Sequence, residues 1–208
     1  MAVSTRISLV RHGMVHNPDN IVYGRKPFFG LSREGVDDAR RAARYLADKN
    51  LEALFAGPLL RTRQTAKHIL KFYPNLELRL SCLLNEVHTP FEGRTETSLQ
   101  GVELDFYRNK SPLYEQPGDV LNRVLKFIRR IRLNDRASHI AAVTHGDVIV
   151  FLTLWASRLE ITAENKLNLL QTGVFQEYPR TGSVTTLSFR TLCADEIPSV
   201  TYTNLRNA

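Results

Sequence analysis

Apolar positions along the chain fall into two alternating kinds of segment. Short runs, Ile7 to Val10 and His139 to Thr144, have no helical period and are rich in aliphatic residues. They read as strands buried on both faces. Further strands are expected at Leu51–Ala56, Leu76–Leu80, Ser183–Phe189 and Pro198–Thr203.

Between the strands, apolar residues recur three and four apart. Val36, Ala39, Ala43 and Leu46 form one such stripe behind Ser32, a suitable N-cap, with Arg40, Arg41 and Arg44 largely off it. Leu59 onward predicts a helix with Pro58 in its first turn and Ala66, Ile69 and Leu70 buried. Leu121, Val124, Leu125, Ile128 and Ile131 predict another, capped by Asp119, whose Arg123, Lys126, Arg129, Arg130 and Arg132 would form a solvated basic face. The stretch after Asp147 is apolar almost all round (Val148 to Trp155), so it predicts a central helix. A helix is also expected over Glu96–Lys110, and a helix and loop over residues 160–182.

Strands alternating with helices predict an α/β fold, a three-layer α/β/α sandwich around a mostly parallel sheet. The 208 residues suit one domain over residues 1–208. Residues 86–117 are expected as an irregular insertion over the active edge, where such segments set substrate choice.

Composition narrows the function. The formal charge is +7 and the pI about 9.6. The basic residues are spread along the chain without an aromatic-rich motif, which argues against nucleic acid and for a field that draws in small anions. The longest apolar run, Val148–Ala156, is too short to cross a bilayer. The first strand begins too early for a signal peptide. Cys82 and Cys193 lack metal-ligand spacing and read as reduced thiols in a cytoplasmic protein. No metal or cofactor is expected.

The candidate chemistry begins at Arg11-His12-Gly13. Gly13 lets the chain turn, leaving Arg11 and His12 at the carboxyl end of a strand, where α/β sheets bind ligands. A fixed cation beside an imidazole suits a phosphate. His145-Gly146 repeats the arrangement and would bring a second histidine to the same edge. Arg61 and Arg63 fall near a helix N-terminus, which the helix dipole disfavours unless an anion binds close by. Glu86 and Glu92 follow the third strand. A carboxylate near a phosphate either pairs with an arginine or carries a proton, and neighbouring negative charge would raise its pKa as a general acid requires. Asn17 and the Tyr23-Gly24-Arg25 turn would return to the strand end and offer donors to an anion, whereas His16 reads as a surface residue.

Arg11-His12-Gly13, Arg61 within Leu59–Ala66, Glu86 and His145-Gly146, in that order, resemble the histidine phosphatase (phosphoglycerate mutase-like) superfamily from about residue 6 to 190. The resemblance implies that His12 is a nucleophile phosphorylated on its ring. It implies that Arg11, Arg61 and His145 form the phosphate pocket, with Asn17 touching phosphate from its loop. Glu86 would be the proton donor, and Tyr23 and Gly24 would touch substrate. Met14 stands where many members carry Glu or Gln, and residues 86–93 run one residue short of the usual pattern, which makes Glu92 a rival acid. The expected activity is a metal-independent phosphomonoesterase acting on a small phosphorylated metabolite. The alternatives are a phosphoglycerate mutase and a non-catalytic phosphate-binding or interaction protein. Homodimers are common in the family, so a homodimer stays open.

Overall fold

β1, Thr5–Arg11, is the strand from which the rest is hung. In the computed structural model, which describes residues 5–99, 107, 111–135, 137–174 and 177–206, it pairs on both sides. β1 runs parallel to β4 (His139–Thr144) and antiparallel to β5 (Val184–Phe189). With β2 (Ala53–Ala56), β3 (Leu78–Leu80) and β6 (Ser199–Thr203), these form one six-stranded sheet in the order β3-β2-β4-β1-β5-β6. Only the pairings of β5 with β1 and β6 are antiparallel, so the sheet is mostly parallel.

Both faces are covered. Val10, Leu54, Ala141 and Val143 face α1 (Arg33–Leu46) and α2 (Leu60–Leu70), meeting Ala42, Ala43, Leu46 and Ile69. Ile7, Leu9, Phe55 and Ala142 face the other way, onto α3 (Pro117–Arg130) and α4 (Gly146–Ala156), meeting Val124, Phe127 and Ile149. Double burial explains the unbroken apolar run Ile140–Val143 of β4, and why Ile7, Leu9 and Val10 of β1 are buried on opposite faces. A short α5, Ala163–Leu167, follows α4.

Two glycines set how closely α1 approaches the end of β1. A Cβ on Gly13 would lie 2.1 Å from the Gly35 carbonyl oxygen, and one on Gly35 would lie 1.9 Å from that of Met14. Ser32 caps α1 by accepting from the Gly35 N–H at 3.0 Å.

Some boundaries differ from the sequence reading. The cap of α3 is Gln116, with Pro117 as its first residue; Asp119 lies in the first turn and accepts from the Gln116 N–H at 2.9 Å. The reason is a capping box, in which the acid three residues in turns back to the cap. α2 starts at Leu60, which leaves Pro58 before the helix, and α4 starts at Gly146, with His145 as its N-cap. Of the helix expected over Glu96–Lys110, a 3-10 turn at Glu96–Leu99 is present; residues 100–106 and 108–110 lie outside the described residues. The basic face of α3 is not uniformly solvated. Arg123 is largely buried, and Arg132, in a π-turn beyond the helix, is fully buried over the Phe189 ring and bonded to Thr191, Cys193 and Glu196.

Candidate active site

The register of β1 on β4 pairs Arg11 with Thr144, so the next residues, His12 and His145, emerge side by side. Their rings lie edge to face with centroids 5.1 Å apart. Both are buried. His145 also stands at the amino end of α4, where unpaired N–H groups and the helix dipole favour an anion.

Gly13 fixes the tautomer of His12. Its carbonyl lies 2.8 Å from His12 Nδ1 and can only accept, so Nδ1 carries the proton and Nε2 presents a lone pair. Arg61 Nε donates to that Nε2 at 3.2 Å. Burial first, then the charges of Arg61, His145 and Arg11, hold the His12 pKa well below its ordinary value, so the ring is neutral at pH 7.

Arg61 is the second residue of α2 and is fully buried. Nη2 donates to the Gly24 carbonyl at 2.7 Å and lies 3.3 Å from His145 Nδ1. Tyr23 lies under its guanidinium, 4.8 Å from ring centre to Cζ. Arg63, two residues on, is exposed.

Glu86 sits with Oε2 3.2 Å from His145 Nδ1 and 3.8 Å from Arg61 Nη2, while Oε1 accepts from the Val87 N–H at 2.9 Å. Burial raises its pKa, but His145, Arg61 and the Val87 N–H outweigh that and hold it well below the carboxylate range. This reverses the expected direction, because its neighbours are cations and N–H donors rather than negative charges. His145 is itself pushed down to about 4, by burial and Arg61 acting against Glu86. The pair therefore holds one proton, on His145 Nδ1, donated to the Glu86 carboxylate.

Three buried nitrogens around His12 lack a hydrogen-bond partner: Arg11 Nε, Arg61 Nη1 and His145 Nε2. Buried polar groups are ordinarily satisfied, so orphans gathered at one sheet edge mark a ligand site. Two belong to permanent cations, and the ligand is therefore an anion. His12, Glu86 and His145 also present atoms within 4.8 Å of one another, as a metal cluster would. Arg61 already occupies that space, within hydrogen-bonding distance of both histidines, and a divalent cation would meet its charge.

The remaining candidates are placed as follows. Gly24 and Tyr23 line the cavity and hold Arg61 from below. Asn17 turns back on its own loop, bonding the Ile21 carbonyl and N–H at 2.9 and 3.2 Å, so it braces the loop rather than reaching the histidines. Glu92 accepts from the Arg25 N–H at 2.7 Å, which leaves Glu86 as the carboxylate beside His145.

Several supporting residues escape sequence reasoning. Glu115 Oε2 pairs with Arg25 Nη2 at 2.8 Å, and Oε1 pairs with Arg123 Nε at 2.7 Å. Both arginines donate to the Glu86 carbonyl, Arg25 at 2.7 Å and Arg123 at 3.3 Å. Thr144 Oγ1 donates to the Leu84 carbonyl at 2.9 Å, tying the same segment to β4. Asp38, fully buried on α1, accepts from the Met14 N–H, Thr181 and Arg206 and steadies the turn after His12.

A family model for the histidine phosphatase superfamily (branch 1) matches residues 7–187. The chain belongs to that superfamily. It is 31% identical over 171 residues to the uncharacterized Mycobacterium tuberculosis protein Rv0525, covering 79% of this chain and 82% of that one. The fold is shared with mycobacterial glucosyl-3-phosphoglycerate phosphatase Rv2419c at TM-score 0.73 and 19% identity, over 96% of this chain and 97% of the other. It is shared equally with a phosphoglycerate mutase from Bacillus anthracis, at TM-score 0.73 and 19% identity over 97% and 93%. Phosphatases and a mutase thus stand among the superfamily's structures similar to this chain. Among the described residues no helix is long and apolar enough to cross a membrane.

Proposed function

We propose that this superfamily member is a phosphomonoesterase that works without a metal, through a phosphohistidine on His12. The observation that supports it most is the trio of unpartnered nitrogens from Arg11, Arg61 and His145 around a neutral imidazole.

A phosphomonoester entering as its monoanion places its charged phosphoryl oxygens on the Arg11 and Arg61 donors and its P–OH against His145 Nε2, which presents a lone pair because the ring proton sits on Nδ1. Arg61 Nε turns from His12 Nε2 to the phosphoryl group and frees the lone pair. Nε2 attacks phosphorus, and the bond to the alcohol oxygen breaks, its electron pair leaving with the alcohol. The positive charge that develops on the ring is shared with the Gly13 carbonyl through Nδ1–H. The substrate's own negative charge offsets Arg61, which raises the Glu86 pKa at the moment a proton is needed. That proton arrives with the monoanion, whose second pKa is about 6, and passes through Glu86 to the leaving oxygen. Water then attacks the phosphohistidine, Glu86 takes its proton, and the P–N pair returns to Nε2.

Hydrolysis is favoured over a mutase by the cations beyond the phosphate end. Arg25 and Arg123 are committed to Glu115, and Lys166 lies 3.3 Å from Asp147, which leaves a substrate carboxylate poorly held.

The test is phosphate release from p-nitrophenyl phosphate in chelator, with 3-phosphoglycerate isomerisation alongside and acid-stable controls for a trapped phosphohistidine. Release that is lost in His12→Ala supports the reading. Isomerisation without release would replace it with the mutase.

A further inference from the structure

We infer that the alcohol released from the phosphoester is an uncharged, largely apolar one, rather than a sugar or a carboxylate-bearing metabolite. This rests on the phosphatase reading above and names its substrate class. Beyond Arg11 and Glu86 the site opens into a cavity of about 570 Å³. That falls within the roughly 300–1,000 Å³ of sites that enclose drug-sized ligands. Its walls, among the described residues, carry six aliphatic side chains: Ile21, Val22, Val87, Leu167, Leu169 and Leu170. Leu170 is 69% exposed at the rim, a cost that a bound apolar group would relieve.

Three polar groups of this wall, Asp147, Lys166 and Tyr178, are turned on one another and on Tyr107 behind it. Tyr107 donates to Asp147 Oδ2 at 2.5 Å, Tyr178 donates to Oδ1, and Lys166 Nζ lies 3.3 Å from Oδ2. Asp147 thereby consumes two hydroxyl donors and one cation that would otherwise greet a sugar or a second anion. A pocket that recognises hydroxyls leaves buried polar atoms waiting for them. Among the described residues the buried orphans within the site are Arg11 Nε, Arg61 Nη1 and His145 Nε2, all at the phosphate end, and none belongs to the aliphatic wall. Asn168 and Gln171 also line the cavity, but both are solvent-exposed, where water competes for them.

The experiment is kcat/KM for ethyl, butyl, hexyl and octyl phosphate below their micelle concentrations, beside glucose 6-phosphate and 3-phosphoglycerate. The alkanols share one leaving-group basicity, so chain length reports burial and not chemistry. Each enclosed methylene is worth at most about fourfold. The expected result is a rise of at least about tenfold from ethyl to hexyl phosphate, with both polar esters below hexyl phosphate. Leu167→Asn with Leu170→Asn, at the exposed rim where folding tolerates change, should flatten the rise. A flat or falling chain-length series with phosphate still released, or a polar ester preferred to hexyl phosphate, overturns the inference and leaves the phosphatase reading standing. No release from any ester by folded protein overturns both.

Discussion

Arg61 Nε lies 3.2 Å from His12 Nε2, so the cation that would grip the substrate already rests on the nucleophile. Arg61→Gln removes that cation and one orphan donor together. The expected loss in kcat/KM is about 10²–10³-fold, the usual cost of one preorganised donor. The His12 pKa should rise because a depressing charge is gone. The acid limb of the pH–rate profile therefore moves to higher pH, and NMR titration of the imidazole checks it independently.

Glu86→Gln separates leaving groups. A general acid contributes about 10²–10⁴-fold where the leaving alcohol needs a proton. Hexyl phosphate should lose at least about 10²-fold, whereas p-nitrophenyl phosphate, which leaves as a stable anion, should lose little in the phosphorylation step. Burst kinetics separate that step from the hydrolysis that follows. Equal losses in phosphorylation for both esters would remove the proton-donor role.

Glu115 touches neither histidine, yet it holds the two arginines that fix the Glu86 carbonyl. Glu115→Gln should lower kcat on hexyl phosphate by about tenfold through a misplaced acid, with KM little changed. p-Nitrophenyl phosphate should be affected less. A loss of equal size on both esters would mean that Glu115 serves stability alone.

The buried His145 makes the free protein acid-sensitive. Its pKa is about 4 folded against an ordinary 6.5, so the unfolded chain binds more protons between those values. Stability therefore rises with pH across that window and falls on acidification from about 6.5 towards 4. Glu86 acts in the same direction, since its depressed pKa gives stability present above the ordinary carboxylate range and lost as pH falls towards the folded value. Melting temperature against pH should show a shallower fall between 6.5 and 4 in His145→Asn than in the wild type.

Gly35→Ala forces a methyl to within 1.9 Å of the Met14 carbonyl, so α1 must move away from the turn that carries His12. A destabilisation of about 2–4 kcal/mol is expected in denaturant unfolding.

The sequence made the chemistry of the strand ends legible, because Arg11-His12-Gly13 and His145-Gly146 follow apolar runs whose burial is plain from composition. Arg61 was legible for a related reason: a cation at a helix start contradicts the dipole and asks for an explanation. Arg123 and Asp38 were not. Each looks solvated on a helical wheel, and only the loops brought over α3 and α1 give them buried partners. The pKa direction of Glu86 was illegible too, since it depends on which charges surround the carboxylate in three dimensions.

The shared register of β1 and β4 has a mechanical consequence. His12 and His145 follow β1 and β4, adjacent interior strands of the sheet, whose amides are expected to exchange only when the sheet as a whole opens. Glu86 follows a short 3-10 turn and is held by side chains that can let go singly. Under mild denaturant, hydrogen exchange should therefore open the Glu86 segment before the strands. A partly loosened molecule would still capture phosphate esters while having lost the means to discharge them.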